Sequence, residues 1–375
     1  MGHSRGTRAV IDLDAIAANL KNFQRHLGAE TEIMAVVKAD GYGHGAIQVA
    51  RTALEEGAAW IGVALLDEAL ELRRAGIDAP ILVFGWTHPH DVRRAAENDI
   101  AVTVFQEGWV RDAAKILQKT ERSLTIHLKL DTGMGRYGAK GEQELTRLCN
   151  EIESEPLMHL QGVYTHFATA DELDSAYFDK QYRCFLSMLD VLAARGAKPD
   201  VIHCGNSAAA LQYPDKAFNL VRLGISMYGL VPSEQLAPVL PFPLQEAFAL
   251  KSELVHVKSL EAGEAVSYGA TYVADEPQWI GTVPIGYADG WLRKISNGGF
   301  VLVEGIRAPI VGRICMDAFM VRLPKKMPIG TEVVLIGKQG EKAITVADLA
   351  RQLDTITYEI PCMISERVPR FFKKN

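Results

Sequence analysis

Long apolar runs are missing from this chain: no stretch approaches the roughly 18 consecutive apolar residues that a membrane-spanning helix needs, so a membrane is not expected as a partner. A secretory leader is not read either. The start, Met1-Gly-His-Ser-Arg-Gly-Thr-Arg8, is basic, but Ala9-Val-Ile-Asp-Leu-Asp14 stands where an apolar core region would follow. Gly6 occupies the position where the myristoylation pattern that begins at Gly2 requires Ser or Thr. Cysteine is scarce: Cys149, Cys184, Cys204, Cys315 and Cys362 are odd in number, widely spaced and form no CxxC, which suits free thiols in a reducing cytoplasm. A strong charge of one sign is also lacking. The formal net charge of −6 gives no electrostatic reason to expect nucleic acid or an anionic surface, which leaves small molecules as the expected ligands.

The chain does have length, 375 residues, and a hydrophobic fraction of 48%, ample for about two domains with sizeable cores. Its organising stretch is Met34-Ala-Val-Val-Lys-Ala-Asp-Gly-Tyr-Gly-His-Gly45. Ile33 to Val37 are apolar, as a strand covered on both faces should be, while Gly41, Gly43 and Gly45 permit a tight turn before a helical segment from Ala46. Lys38 is thereby delivered to a strand end. Partial burial there lowers an ammonium's pKa, and a neutral amine on a rigid support is what Schiff-base chemistry requires; a lysine snorkelling at a rim is the bland alternative.

Helical spacing over Ile11 to Leu27 opens a series in which strand and helix patterns alternate. The expected strands are Ile33–Lys38, Trp60–Leu65, Ile81–Trp86, Ile100–Phe105, Leu124–Leu130, Leu160–Phe167, Val201–Cys204 and Leu220–Tyr228. Eight βα units in this length predict an eight-stranded TIM-type (β/α)8 barrel over residues 10–235. An open doubly wound sheet competes, but no Gly-x-Gly-x-x-Gly follows the first strand. After the proline-rich Val231 to Pro243, short strands separated by glycine turns predict a mostly β domain over 245–375, with residues 1–9 packing on it.

Strand ends of such a barrel face one mouth, and polar residues gather there: Lys129, Asp131 and Arg136 after the fifth strand, His166 after the sixth, His203 with Asn206-Ser207 after the seventh, and Arg222 with Gly224-Ile225-Ser226 at the eighth. Each alone has a structural explanation. Together, a Schiff-base lysine, an arginine and small residues able to offer backbone N–H groups to a phosphate suggest pyridoxal 5'-phosphate.

Lys38-Ala-Asp-Gly-Tyr-Gly-His-Gly resembles the cofactor-lysine signature of alanine racemases, a fold-type III family of pyridoxal phosphate enzymes. Lys129-Leu-Asp-Thr-Gly-Met-Gly-Arg, His203-Cys-Gly-Asn-Ser, Arg222-Leu-Gly-Ile, Ser267-Tyr-Gly-Ala-Thr-Tyr, Gly286-Tyr-Ala-Asp-Gly and Cys315-Met-Asp match that family in the same order. The resemblance implies a cytoplasmic homodimer with active sites shared between chains, interconverting L- and D-alanine and so supplying D-alanine for peptidoglycan. It implies that Lys38 binds the cofactor and is the base on one face of the substrate Cα, with Tyr268 of the partner subunit the base on the other. A phenol needs help to act as a base near neutrality, so a nearby acceptor is expected, and the family places His166 and Arg222 in that network. Arg222 faces the pyridine nitrogen by the same resemblance, and Tyr42, Asn206, Ser207, Gly224, Ile225 and Tyr358 are cofactor-binding. Arg136 and Met316 meet the substrate, Tyr287 and Tyr358 narrow the way in, and Lys129 matches the lysine carbamylated in many relatives. No metal is implied. Gly205, where many relatives have alanine, and Ala318-Phe-Met-Val-Arg322, where glutamine and later aspartate are expected, depart from the pattern.

Three other readings compete. A decarboxylase relative would need a carboxylate at the ring nitrogen in place of Arg222 and a Gly-Gly-Gly phosphate loop. A non-catalytic carrier would usually lack the β domain, and a metal-dependent hydrolase would use His127, His166 and His203.

Overall fold

The computed structural model describes residues 5–120 and 122–374, so the readings placed on Met1 to Ser4 lie outside the described residues. It divides into two compact units, one formed by the N-terminal stretch to Ala15 with the chain from Glu246 onward, the other by Ile16–Gln245.

The second unit is the barrel. Its strands are Glu32–Val36, Trp60–Val63, Ile81–Val83, Ile100–Val104, Leu124–Lys129, Met158–Tyr164, Val201–His203 and Leu220–Leu223. They are nearly all apolar and buried on both faces, the state in which a parallel strand needs no polar side. The first seven pair in parallel in sequence order, and Glu32–Val36 pairs with Leu220–Leu223, so the sheet curls almost shut. One seam remains. Val201–His203 and Leu220–Leu223 form no ladder; the Arg222 N–H donates to the Gly205 carbonyl at 3.0 Å, and the Ile202 N–H to Asn219 Oδ1 at 2.8 Å. At Gly205 an added Cβ would stand 3.3 Å from Val221, so the seam is tight. Met34, Trp60, Leu82, Ala101, Val201 and Leu220 form one apolar cluster within the barrel unit.

The other unit is built on a ten-stranded sheet. The strand Arg8–Asp12 pairs with Phe248–Glu253 on one side and Arg370–Lys373 on the other. This corrects the expectation that the barrel begins at residue 10 and that Ile11 opens a helix: burial alternates along Arg8–Asp12 with the period of a strand. The helix begins at Leu13, with Asp12 Oδ1 accepting the Ala15 N–H at its start. The first strands after the proline-rich stretch are Phe248–Glu253 and His256–Leu260, and a short helix, Glu359–Met363, follows the helix Val346–Leu353. No helix among the described residues is long and apolar enough to cross a membrane.

Candidate active site

The first barrel strand ends at Val36, two residues short of the expected Lys38. Lys38 opens a turn in which Ala39, Asp40, Gly41, Tyr42 and Gly43 all have positive φ, between 51° and 79°. Three of these are not glycine, and each costs about 1–2 kcal/mol against a right-handed conformation. The turn is held by main-chain bonds: the Gly41 N–H donates to Val37 O, Gly43 to Ala39 O and Gly45 to Asp40 O, at 2.8, 2.9 and 2.8 Å. Asp40 Oδ1 accepts the Ala46 N–H at 2.8 Å, and His44, fully buried, directs Nδ1 at the Tyr42 carbonyl at 2.9 Å. The result sets the Lys38 amine 5.7 Å from the centre of the Tyr42 ring.

Tyr42 in turn reaches the end of the eighth strand. A Cβ on Gly224 would lie 2.5 Å from the Tyr42 hydroxyl, so only glycine leaves room for that ring. Ser207 Oγ, buried, accepts the Gly224 and Ser226 N–H groups at 3.0 and 3.4 Å. Asn206 caps the helix Ser207–Gln212, its Oδ1 accepting the Ala209 N–H at 3.0 Å. Ser226 Oγ is buried and has no hydrogen-bond partner among the described residues. The Tyr42 hydroxyl, Gly224 and the orphaned Ser226 thus lie close together at the end of the eighth strand, with Ile225 between Gly224 and Ser226.

Arg222, buried beside the seam, directs one terminal nitrogen at His203 Nδ1 and the His203 carbonyl, both at 3.1 Å. Its other terminal nitrogen faces the Thr165 carbonyl at 3.0 Å and His166 Nδ1 and the Cys204 carbonyl at 3.1 Å. Among the described residues, only its Nε–H is left without a protein acceptor. A guanidinium can only donate, so Nδ1 is the acceptor in both histidines and their protons sit on Nε2. His203 then donates to His127 Nδ1 at 3.0 Å, and Tyr164 stacks on His203 at 4.6 Å. The acceptor nitrogen of His166 is thus occupied by Arg222, and its other ring nitrogen carries the N–H.

Burial first, then the charges of Arg222, Arg136, Lys129 and Lys38, holds His166 well below the ordinary histidine range. His203 is held down by burial and Arg222, and His127 is lowered to about 4 by burial. Burial lowers Arg222 to about 10, which leaves it a cation at neutral pH. Lys129, buried and donating to the Leu130 carbonyl at 2.7 Å, is lowered to about 7 by burial and then by repulsion from Arg222. The following loop is fixed by Asp131 Oδ1, which accepts the Gly133 and Gly135 N–H groups at 3.0 and 3.1 Å. It presents Arg136 exposed, over the Tyr137 ring at 5.2 Å, without an ion pair or hydrogen bond among the described residues.

Tyr268, Tyr287, Met316 and Tyr358 belong to the β unit. The first three are 69%, 41% and 52% exposed, large for an aromatic or apolar side chain, and Tyr358 is half-buried. Their loops are tied together: Ser267 Oγ donates to the Arg313 carbonyl at 2.6 Å, and the Tyr287 and Ala288 N–H groups donate to the Cys315 and Met316 carbonyls at 3.1 Å. Beneath them, Asp289 is fully buried and held by Arg5 through two bonds of 3.0 and 2.5 Å, with Arg367 at 3.4 Å. Asp289 lies within the Gly286-Tyr-Ala-Asp-Gly motif, but nothing in the sequence marks it as the buried partner of Arg5. No group of three His, Cys, Asp or Glu among the described residues is arranged to hold a metal ion.

A family model described as alanine racemase, N-terminal domain, matches residues 11–232, and one described as alanine racemase, C-terminal domain, matches 247–372. The alanine racemase of Geobacillus kaustophilus is 57% identical over 371 residues, covering 99% of this chain and 95% of its own. The crystal structure of alanine racemase from Bacillus anthracis with bound L-Ala-P matches with a TM-score of 0.97 at 48% identity, over 100% of this chain and 97% of that one. Histidine racemase from Leuconostoc mesenteroides subsp. sake matches with a TM-score of 0.92 at 34% identity, over 100% and 99%.

Proposed function

Because the chain belongs to the alanine racemase family and interconverts L- and D-alanine, we propose that it does so with pyridoxal 5'-phosphate held at Lys38 and with two bases, Lys38 and Tyr268 of the partner subunit. The observation that most supports this is the placement of Arg222, whose terminal nitrogens are all committed to protein acceptors and whose Nε–H is left to pair with a ring nitrogen. Tyr42, Asn206, Ser207, Gly224 and Ile225 would receive the phosphate through hydroxyls and main-chain N–H groups, with Tyr358 completing the set. Bound there, the cofactor supplies the conjugated electron sink that makes an amino acid's Cα proton removable.

Inversion at Cα needs a proton removed on one face and returned on the other. Lys38 serves one face, its amine held by the turn that follows it. Tyr268, exposed on the β unit, serves the opposite face of a second copy's site. His166 directs an N–H, not a lone pair, toward the chemistry, so its help to a tyrosine is to stabilise the phenolate and thereby lower its affinity for a proton. Arg222 keeps its proton at neutral pH, so it would offer a bound cofactor's ring nitrogen an N–H without protonating it, which would keep the electron sink modest and favour return of the proton over loss of other groups.

Arg136, an exposed cation with no protein counter-ion, would bind the substrate carboxylate. Lys129 is neutral in a substantial fraction at pH 7 and could take up carbon dioxide; the N–C bond forms, one amine proton leaves to water, and the resulting carbamate anion would orient Arg136. Met316 closes the pocket, and Tyr287 with Tyr358 limits it to a methyl side chain. A histidine racemase shares this fold at 34% identity, so the fold alone does not set which side chain is accepted. The enzyme would work in the cytoplasm as a homodimer, providing D-alanine for peptidoglycan.

The test is the visible spectrum of the purified protein together with Cα hydrogen exchange from L- and D-alanine, for the wild type, Lys38→Ala and Tyr268→Phe. A yellow wild type whose Tyr268→Phe variant loses exchange mainly from one enantiomer is expected. A protein that stays colourless after incubation with pyridoxal phosphate, or a Tyr268→Phe variant that exchanges both enantiomers normally, overturns the proposal.

A further inference from the structure

Glu68 lies in the first turn of the helix Leu66–Arg74, which follows the second barrel strand. Its two oxygens do different things. Oε2 accepts the N–H groups of Ala64 and Leu65 at 2.8 and 3.0 Å, the ordinary office of an acidic side chain at a helix start. Oε1 accepts the N–H of Ala39 at 2.7 Å, from the loop that leaves the first strand. Helix capping does not require that bond. The Ala39 N–H belongs to the peptide that joins Lys38 to Ala39, so a carboxylate on it fixes the peptide plane from which the Lys38 side chain departs.

Ala39 is also the first of the five consecutive residues of positive φ. The other main-chain bonds of that turn run from the turn to itself or to Val37 and Ala46, whereas the Ala39 bond reaches a different βα unit. We propose that Glu68 is a positioning residue for Lys38: it ties the peptide after the lysine to the loop of the neighbouring strand and so holds the amine at one point of the barrel mouth. The inference rests on Lys38 being the cofactor lysine and a base. All three donors are main-chain groups, so no rotation of a neighbouring side chain can release the tie, and the carboxylate makes each bond charge-assisted. Ala39 is exposed, and water competes for its N–H. The consequence of losing the bond is therefore mobility of the turn, not unfolding of the barrel.

Glu68→Gln tests this, because an amide offers one oxygen and an NH2 and cannot accept from both loops at once. Glu144→Gln is the control: Glu144 Oε2 accepts the Lys140 N–H at 2.7 Å at the start of the helix Gly141–Glu153, with no bond to another βα unit among the described residues. In the full-length protein without cofactor, Glu68→Gln is expected to speed amide exchange over residues 39–45 by about tenfold or more, with a melting temperature matching that of Glu144→Gln. In the cofactor-loaded enzyme it is expected to lower kcat by about tenfold or more, with KM for alanine changed less than about twofold. Glu68→Asp keeps the charge but is one carbon short of Ala39, and it carries the same comparison should the glutamine variant not fold. Unchanged exchange over 39–45, or losses that Glu144→Gln shares equally, overturns the positioning role. A Lys38→Ala enzyme that keeps cofactor and activity overturns the reading of Lys38 itself, and that result is separate from the exchange measurement.

Discussion

Arg222 donates to His166 Nδ1 across 3.1 Å, and this single bond fixes the tautomer of the histidine and leaves an N–H on its other ring nitrogen. With burial, the neighbouring cations keep His166 neutral at working pH. Replacing Arg222 by Gln removes the nearest of those charges, so the His166 pKa rises toward the ordinary histidine range. The racemase pH profile should gain an acidic limb that the wild type lacks, and kcat/KM should fall by about 100-fold as the network loses its organising cation. Initial rates from pH 5 to 9 for the two proteins decide it.

Three buried neutral histidines, His127, His166 and His203, make folding sensitive to acid. Each folded pKa lies below the unfolded value near 6.5. Between that value and about 4 the unfolded chain therefore binds protons that the folded one refuses. The stability they contribute is present above pH 6.5 and is lost as pH falls, with a slope of up to about 4 kcal/mol per pH unit for three protons. Denaturant titrations at pH 7, 6 and 5 measure it. His127→Gln keeps an acceptor for His203 and should reduce that part of the slope by about one third.

Lys129 works in the alkaline range. Its folded pKa of about 7 lies below the unfolded 10.5, so between those values only the unfolded chain is protonated there. Stability gains up to about 1.4 kcal/mol per pH unit as pH rises through the window, and Lys129→Met abolishes the gain. The neutral amine should also give a carbamate signal in carbon NMR with labelled bicarbonate, absent from the same variant.

Gly224→Ala places a methyl 2.5 Å from the Tyr42 hydroxyl and forces the ring aside. Affinity for pyridoxal phosphate should fall by about tenfold, read by fluorescence titration of the cofactor-free protein, while the melting temperature falls by only the equivalent of about 1–3 kcal/mol.

Arg5 and Arg367 both face the buried Asp289, but Arg5 grips it with two bonds and Arg367 stands at 3.4 Å while also pairing with exposed Asp317. Arg5→Ala should therefore cost the β unit about 3 kcal/mol and Arg367→Ala about 1 kcal/mol or less. Thermal melts of the two variants rank them.

The eight barrel strands were legible in the sequence because a strand buried on both faces is a plain apolar run, and the mouth residues were legible because they sit where those runs stop. Arg8–Asp12 was hidden: Ile11 fits a helical period as well as an alternating one, and its partner strands begin at Phe248 and Arg370, far along the chain. The direction of the His166 lone pair could not be read either, since it depends on where a guanidinium points in space. Glu68 was invisible for a related reason. Nothing local separates a capping glutamate from one whose second oxygen reaches another loop.

The barrel seam bears on the order of folding. Six of the seven pairings join strands adjacent in sequence, whereas Glu32–Val36 must find Leu220–Leu223 across almost the entire barrel. Such long-range contacts are slow to form because the loop they close is large. On the proposed reading Arg222 and Gly224, on and just after the last strand, belong to the cofactor site, so a chain with only its first seven strands assembled would lack it. Acquisition of cofactor by a refolding chain then marks the closing of the barrel itself.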